Sequence, residues 1–138
     1  MCSGPMQNAQ PPLQTISLPT ARDDVAPDGS DIRVLLRTDR SSLAHGTLAV
    51  GQTSVTVMHR TVSEMWFVVG GGAEIWRRFG DEESIAAVAT GDALTIPLGA
   101  QFQYRTVGDV PFEFVMCTMP AWPNADEAVS VDGPWVAG

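Results

Sequence analysis

The chain has 138 residues, of which 44% are hydrophobic and 17% are charged. This length and composition indicate one folded domain with a buried core rather than a disordered chain. The formal net charge of −8 argues against nucleic acid or an anionic membrane as the main partner. No apolar run approaches the roughly 18 residues that a membrane span needs. The polar, proline-containing start predicts no secretory signal, so we expect a cytoplasmic protein.

The residue types that the sequence lacks exclude several kinds of chemistry. Every basic residue is an arginine, which excludes Schiff-base catalysis and a P-loop lysine. The histidines are His45 and His59 and the cysteines are Cys2 and Cys117, so one chain cannot build a three-histidine or a cysteine-type metal site. We expect two free thiols in a reducing compartment.

In chain order, the pattern predicts a flexible arm over residues 1–15 and a single domain over 16–138. A turn-rich connection over 21–31 precedes short β-type runs separated by turn signals. The predicted strands are Ile32–Arg37, Leu43–Val50, Ser54–His59, Met65–Val69, Ala73–Arg78, Ser84–Ala89, Ala93–Ile96, Gln101–Thr106 and Phe112–Met119. Such spacing is typical of an antiparallel sandwich or barrel. Residues 120–138 form a C-terminal strap that carries two tryptophans, and the best helical candidate, Asn124–Val129, is very short.

The run Met65–Val69 is apolar at every position. An antiparallel strand with one wet face should alternate between apolar and polar residues, so we expect this strand to be covered on both sides. A second copy of the chain or the N-terminal arm could supply the second cover. We therefore expect a homodimer.

A first motif lies within residues 51–71. Gly51 is followed by five residues, then by Val57, one residue and His59. Four further residues lead to Glu64, and six more lead to Gly71. The glycines stand where the chain is expected to reverse, at positions where a positive φ is easy only for glycine.

A second motif lies within residues 91–106, where five residues separate Gly91 from Pro97, one separates Pro97 from Gly99, and two separate Gly99 from Phe102. In order and spacing the two motifs resemble those of the cupin superfamily, whose fold is a single small jelly-roll β-barrel. The resemblance implies a metal held by three histidines and a glutamate at the positions of Val57, His59, Glu64 and Phe102. Only His59 and Glu64 can bind a metal, so the motif is degenerate and we expect no stoichiometric metal.

Period-2 alternation predicts which side chains point into the barrel. It places Val57 with His59 on one inner face, Glu64 with Trp66 on another, and Phe102 with Tyr104 on a third. We therefore predict an enclosed apolar cavity. In it, His59 and Glu64 are the candidate catalytic pair and Val57, Trp66, Phe102 and Tyr104 are the candidate substrate-binding residues.

This pocket suits a small, largely apolar or aromatic molecule. The leading hypothesis is a metal-independent enzyme for proton transfer, isomerisation or cyclisation of an aromatic or polyketide-like substrate, with His59 and Glu64 as general acid and base. One alternative is a divalent-metal cupin isomerase or oxygenase that uses the same pair and a further ligand. The other is a cupin that binds a small molecule without catalysis.

Two orientations stay open at the level of sequence. His45 could supply the further metal ligand, although its strand favours an outward direction because the alternate face is more apolar. Alternation sends one of Arg77 and Arg78 inward, where it could bind a ligand carboxylate or phosphate.

Overall fold

In the computed structural model, residues 11–138 are described, and they form eleven β-strands joined by turns. The strands are β1 Asp24–Val25, β2 Asp31–Arg37, β3 Ser42–Leu48, β4 Val57–His59, β5 Ser63–Gly70, β6 Gly72–Phe79, β7 Glu82–Ala89, β8 Ala93–Ile96, β9 Gln101–Val107, β10 Phe112–Met119 and β11 Ala128–Ser130. One 3₁₀ turn, Ala125–Glu127, precedes β11. Within residues 11–138 no helix is long and apolar enough to cross a membrane.

The strands form two antiparallel sheets that pack face to face. The six-stranded sheet has the order β1-β2-β3-β10-β5-β8, and the five-stranded sheet has the order β11-β4-β9-β6-β7. Strands that are distant in sequence become neighbours, as when β10 lies between β3 and β5. This exchange of strands between two sheets is the jelly-roll arrangement that the spacing of the motifs predicted.

The core lies between the two sheets and follows the alternation of side chains along each strand. On β5, Glu64, Trp66 and Val68 are buried while the residues between them are exposed. The remaining inner-face residues of the core are Leu48, Val57, Ala73, Ile75, Leu94, Ile96, Ala100, Phe102, Tyr104, Phe112 and Phe114. One face of each sheet is therefore apolar and closed against the other sheet.

The predicted strands are all present, with small changes at their ends. The largest change concerns the predicted strand Ser54–His59, of which only Val57–His59 is regular. Its first part leaves the ladder because Ser54 and Val55 donate their backbone N–H groups to Tyr104 and Asp28 instead. The sequence did not predict the short strands β1 and β11. The candidate helix Asn124–Val129 is a 3₁₀ turn followed by β11.

The outer face of β5 is apolar and uncovered in the single chain. Met65 and Phe67 are each 50% exposed and Val69 is 41% exposed. The expectation that both faces of this strand are covered is therefore not met within residues 11–138. Most of the predicted N-terminal arm, including Cys2, lies outside the described residues.

The end of the C-terminal strap, at Trp135, packs on the outer face of the five-stranded sheet. Gln103 exchanges hydrogen bonds with the backbone of Trp135, with the side-chain amide donating to the carbonyl oxygen and the side-chain oxygen accepting from the N–H group. The guanidinium of Arg105 lies 4.1 Å from the centre of the Trp135 ring. These contacts bury Gln103 although it points away from the barrel interior.

Candidate functional site

A cavity of about 630 Å³ opens between the two sheets. Its walls come from the β1–β2 connection, from β2, β3, β4, β5, β9 and β10, and from the start of the C-terminal strap. The polar side chains in these walls belong to Asp24, Asp28, Arg37, Ser42, His59, Glu64, Thr118, Trp122 and Asn124. The predicted residues Val57, His59, Glu64, Trp66 and Phe102 all line it.

Glu64 lies in the cavity wall and is only 3% exposed. The Trp66 indole N–H donates to Oε1 at 2.9 Å, and the Thr118 hydroxyl donates to Oε2 at 2.9 Å. Burial raises the pKa of this carboxyl, while the nearby His59 and the two donors oppose the shift. Glu64 is thus a carboxyl that holds its proton more readily than a surface glutamate.

His59 lies between two aromatic rings at the same cavity wall. Its ring centroid is 5.2 Å from that of Phe102 and 5.2 Å from that of Trp122, both in edge-on arrangements. Its Nδ1 atom is buried and has no hydrogen-bond partner among the described residues. Since buried polar atoms are nearly always satisfied, this nitrogen is a candidate for contact with a ligand or a water molecule.

The structure brings His59 and Glu64 to the wall of one cavity, where His59 opposes the rise in the pKa of Glu64 that burial causes. No direct hydrogen bond joins the two side chains among the contacts of residues 11–138. The two side chains are therefore neighbours in the cavity wall without being directly paired.

The apolar walls are built from stacked and edge-on aromatic rings. Trp66 packs edge-on against Phe102 at 5.8 Å and stacks on Phe114 at 4.2 Å. The Trp66 indole therefore does two things, because it forms part of the wall and also donates a hydrogen bond to Glu64. Such rings give an apolar ligand a large contact area with fixed geometry.

Tyr104 does not line the cavity, although the sequence predicted it as a substrate-binding residue. It points inward as alternation requires, but it is fully buried in the core, and its hydroxyl donates to Asp28 Oδ2 at 2.7 Å. Burial and the neighbouring Asp28 raise the pKa of Tyr104 well above its ordinary range. Asp28 also accepts from the backbone N–H and the hydroxyl of Ser30, so the hydroxyl of Tyr104 serves an internal network.

His45 points away from the cavity, as its strand pattern favoured. It lies on the outer face of β3, where its Nε2 is 3.1 Å from Oε1 of Glu113. The neighbouring position, Gly46, is the one that faces the interior, because a Cβ there would come within 2.6 Å of the Phe114 ring. His45 therefore cannot complete a metal site with His59 and Glu64.

The two consecutive arginines of β6 divide as alternation predicted. Arg77 pairs with the inward-facing Phe102 and donates from Nη1 to the carbonyl oxygen of Thr95 at 3.0 Å. Arg78 is exposed. Neither lines the cavity, so the inward arginine links the two sheets instead of meeting a ligand there.

The polar side chains of the cavity wall that were not predicted from the sequence are Asp24, Asp28, Arg37, Ser42, Thr118, Trp122 and Asn124. Asp28 comes from a stretch that the composition indicated only as a turn. Thr118 could have been found, because it lies on the same face of its predicted strand as Phe112 and Phe114. The pattern holds no comparable signal for Arg37 and Trp122, which meet the cavity through contacts between distant segments.

The donor set does not fit the metal site that the cupin motifs imply. Two of the four ligand positions hold Val57 and Phe102, and both oxygens of Glu64 already accept hydrogen bonds. Among residues 11–138 no group of three or more histidine, cysteine, aspartate or glutamate side chains could hold a metal ion. We therefore derive no chemistry through a metal in this cavity.

No protein-family profile matches this chain. An uncharacterized protein of Methanocaldococcus jannaschii is 26% identical over 110 residues, which cover 76% of this chain and 85% of that protein. CapF from Staphylococcus aureus, a capsular polysaccharide assembling protein, matches with a TM-score of 0.69 and 20% identity over 86% of this chain. This chain spans about a third of CapF, because the match covers 35% of the CapF chain.

The cupin domain of Cnp3 from Schizosaccharomyces pombe matches with a TM-score of 0.60 and 8% identity, over 66% of this chain and 64% of that domain. At these identities the structural matches bear on the fold and not on the chemistry. The fold agrees with the two motifs in residues 51–71 and 91–106. These matches therefore show that the chain has a cupin-type jelly-roll fold.

Proposed function

We propose that this protein is a small-molecule cupin enzyme that works without a metal. It transfers protons on a small apolar or aromatic substrate, in an isomerisation or a cyclisation, inside the cavity between the sheets. The observation that carries the proposal is Glu64, a buried carboxyl with a raised pKa, in one cavity with a histidine whose Nδ1 has no partner among the described residues.

The roles follow from the surroundings of the two groups. Burial raises the pKa of Glu64, so in this proposal Glu64 is the general acid that gives its proton to the substrate. His59 acts as the general base and takes a proton from another atom of the substrate, so that the substrate's charge is unchanged. The hydrogen bonds from Trp66 and Thr118 stabilise the carboxylate that Glu64 becomes when it has given up its proton.

The apolar walls favour the same chemistry. Val57, Trp66 and Phe102 exclude water around the reacting groups, which strengthens the electrostatic interactions between substrate and protein. The cavity of about 630 Å³ falls within the range typical of pockets for small organic molecules.

Proton transfer can be tested directly by deuterium uptake. The protein is incubated in D₂O with a panel of aromatic and polyketide-like ketones, and exchange at the carbon atoms is measured by mass spectrometry. We expect Glu64→Gln to slow exchange by about 10² to 10⁴-fold, the usual contribution of a general acid or base. Trp66→Ala should mainly weaken binding, because it removes wall area.

The matched control is Glu113→Gln, which makes the same change in a glutamate that does not line the cavity. Glu113 is on the outer face next to His45, so its replacement should leave exchange unchanged. If Glu64→Gln leaves exchange intact while Trp66→Ala abolishes it, the acid–base proposal is wrong and the cavity acts by shaping the substrate. About one equivalent of bound metal per purified chain would instead favour a metal-dependent cupin enzyme.

A binding protein without catalysis is the second candidate. It is favoured by one observation, namely that both oxygens of Glu64 already accept hydrogen bonds from Trp66 and Thr118. In that case the carboxyl serves to hold the wall of the pocket. The absence of exchange with every ketone, together with tight binding of an aromatic probe, would support this candidate.

A further inference from the structure

Arg37 is the one arginine in the cavity wall. It ends strand β2, is half-buried and lines the cavity. The other basic group in the wall is His59.

The guanidinium is held in place by the backbone of the C-terminal strap. Arg37 Nη1 donates to the carbonyl oxygen of Trp122 at 2.9 Å, and the N–H of Trp122 donates to the hydroxyl of Ser42 at 3.0 Å. This contact uses one of the five N–H donors that an arginine offers. The carbonyl group of Trp122, which is neutral, therefore orients the guanidinium. The remaining N–H donors of Arg37 can bind another group.

The carboxylates of the cavity are engaged elsewhere. Asp28 accepts from Ser30 and Tyr104, and Glu64 accepts from Trp66 and Thr118. Asp24, the third carboxylate of the wall, accepts from the backbone N–H of Val25. The ion pairs found within residues 11–138 do not include Arg37. In a chain of net charge −8, this arginine thus faces the cavity without an acidic partner in the described part of the protein.

We infer that Arg37 binds an oxyanion, such as a carboxylate or a sulfonate, on a ligand whose aromatic or apolar body lies against Trp66, Phe102 and Trp122. A planar guanidinium fork matches the two oxygens of such a group. The inference rests on the proposed small-molecule function of this cavity, but it does not depend on catalysis by Glu64 and His59. It narrows the substrate class to organic anions.

Two fluorescent probes that differ in a single charged group test this. The anionic probe is 1-anilinonaphthalene-8-sulfonate, and the neutral probe is N-phenyl-1-naphthylamine, which has the same aromatic body without the sulfonate. Because a hydrogen bond to a charged group contributes about 1.5 to 3 kcal/mol, Arg37→Gln should lower the affinity for the anionic probe by about 10 to 100-fold. The neutral probe should change by less than about twofold.

Two further variants sharpen the result. Arg37→Lys keeps the charge but loses the fork, so the anionic probe should bind with intermediate affinity. The matched control is Arg40→Gln, an arginine in the exposed turn after β2, which removes the same charge without touching the cavity. Trp66→Ala should weaken both probes, which places them in the cavity.

Several outcomes would overturn the inference. If Arg37→Gln weakens both probes equally, Arg37 only holds Trp122 in place. If Arg37→Gln leaves the anionic probe unchanged, or if Arg40→Gln weakens it as much, the anion does not meet Arg37. If the wild-type protein binds the neutral probe but not the anionic one, the proposed function survives and this inference fails. If it binds neither probe, both fail.

Discussion

The two ends of the barrel interior are built from the same strands and differ in what those strands place there. At the closed end, Phe112 and Phe114 stack at 5.0 Å, and Tyr104 packs edge-on against both. These three rings are fully buried. The polar atom among them, the Tyr104 hydroxyl, is hydrogen-bonded to Asp28. This end is solid core.

At the cavity end the inner positions of the same strands hold smaller or more polar residues. Strand β10 changes from Phe112 and Phe114 to Met116 and Thr118, and β3 changes from Leu48 to Ser42 and Ala44. The alternation of inner and outer faces continues, but the volume of the inner side chains falls. The gradient of side-chain size along two adjacent strands therefore decides where the barrel stays open.

The comparison of the two ends shows how a candidate site differs from the core. Both ends bury polar groups, but the Tyr104–Asp28 network is satisfied inside the protein while His59 Nδ1 has no partner among the described residues. The cavity therefore combines free volume with a buried polar atom that has no partner among the described residues, His59 Nδ1. A candidate site is marked by these two properties together.

The largest expected effect is on stability at the closed end. Phe114→Ala removes a fully buried ring that stacks on Trp66 and Phe112, so it should cost about 3 to 5 kcal/mol of the free energy of unfolding. Met116→Ala changes the next inner position of the same strand, at the cavity wall, and should cost less than about 2 kcal/mol, because Met116 already faces free space. Urea denaturation measures both. Equal losses would mean that the two ends are packed alike.

A smaller effect, on the pH dependence of stability, separates a buried carboxyl of the cavity from one outside it. The pKa of Glu64 is raised by burial above its ordinary value of 4.5, so the native state binds the proton more tightly than the unfolded state. As far as this group is concerned, the free energy of unfolding of the wild type is highest below pH 4.5. It falls as the pH rises through the pKa that Glu64 has in the native state. We expect Glu64→Gln to gain stability relative to the wild type over that window.

Glu127 is the matched control and should behave in the opposite way. Burial alone would raise its pKa, but hydrogen bonds from Thr61 and from the backbone of Val62 outweigh burial and lower it. Its stabilisation is therefore complete above 4.5 and is lost as the pH falls through the native pKa. The free energy of unfolding of the wild type, minus that of Glu127→Gln, should thus increase as the pH rises toward 4.5. Slopes of the same sign for the two variants would show that Glu64 is not desolvated.

Changes on the outer face of β5 should affect the association of two chains and leave the cavity almost unchanged. We propose that Met65, Phe67 and Val69 pack against a second copy of the chain, because three adjacent apolar side chains are otherwise about half exposed. Light scattering should give a mass near twice 14.7 kDa. Phe67→Glu should yield monomers, whereas Ile85→Glu, at an exposed position of the other sheet, should not. A monomeric wild-type protein at micromolar concentration would contradict the proposal.

Much of the fold could be predicted because its signals are local. Turn residues and period-2 alternation depend on neighbours in the chain, and they located the nine main strands. They also placed Val57 with His59 and Glu64 with Trp66 on inner faces, so the centre of the candidate site was predicted from two motifs. The strand that was predicted too long, Ser54–His59, failed where backbone groups bind the distant residues Asp28 and Tyr104.

The hydrogen-bond partners of these side chains depend on contacts between segments that are far apart in the chain. The hydroxyl of Tyr104 goes to Asp28, 76 positions away, and so it is not available to a ligand as alternation alone suggested. Arg37 meets the carbonyl of Trp122 across 85 positions, which brings a cation to a cavity that the sequence predicted as apolar apart from its acid–base pair. The sequence by itself determined which face of each strand is buried, because that choice follows from local alternation. Which buried group finds a partner depends on the packing of segments that are far apart in the chain.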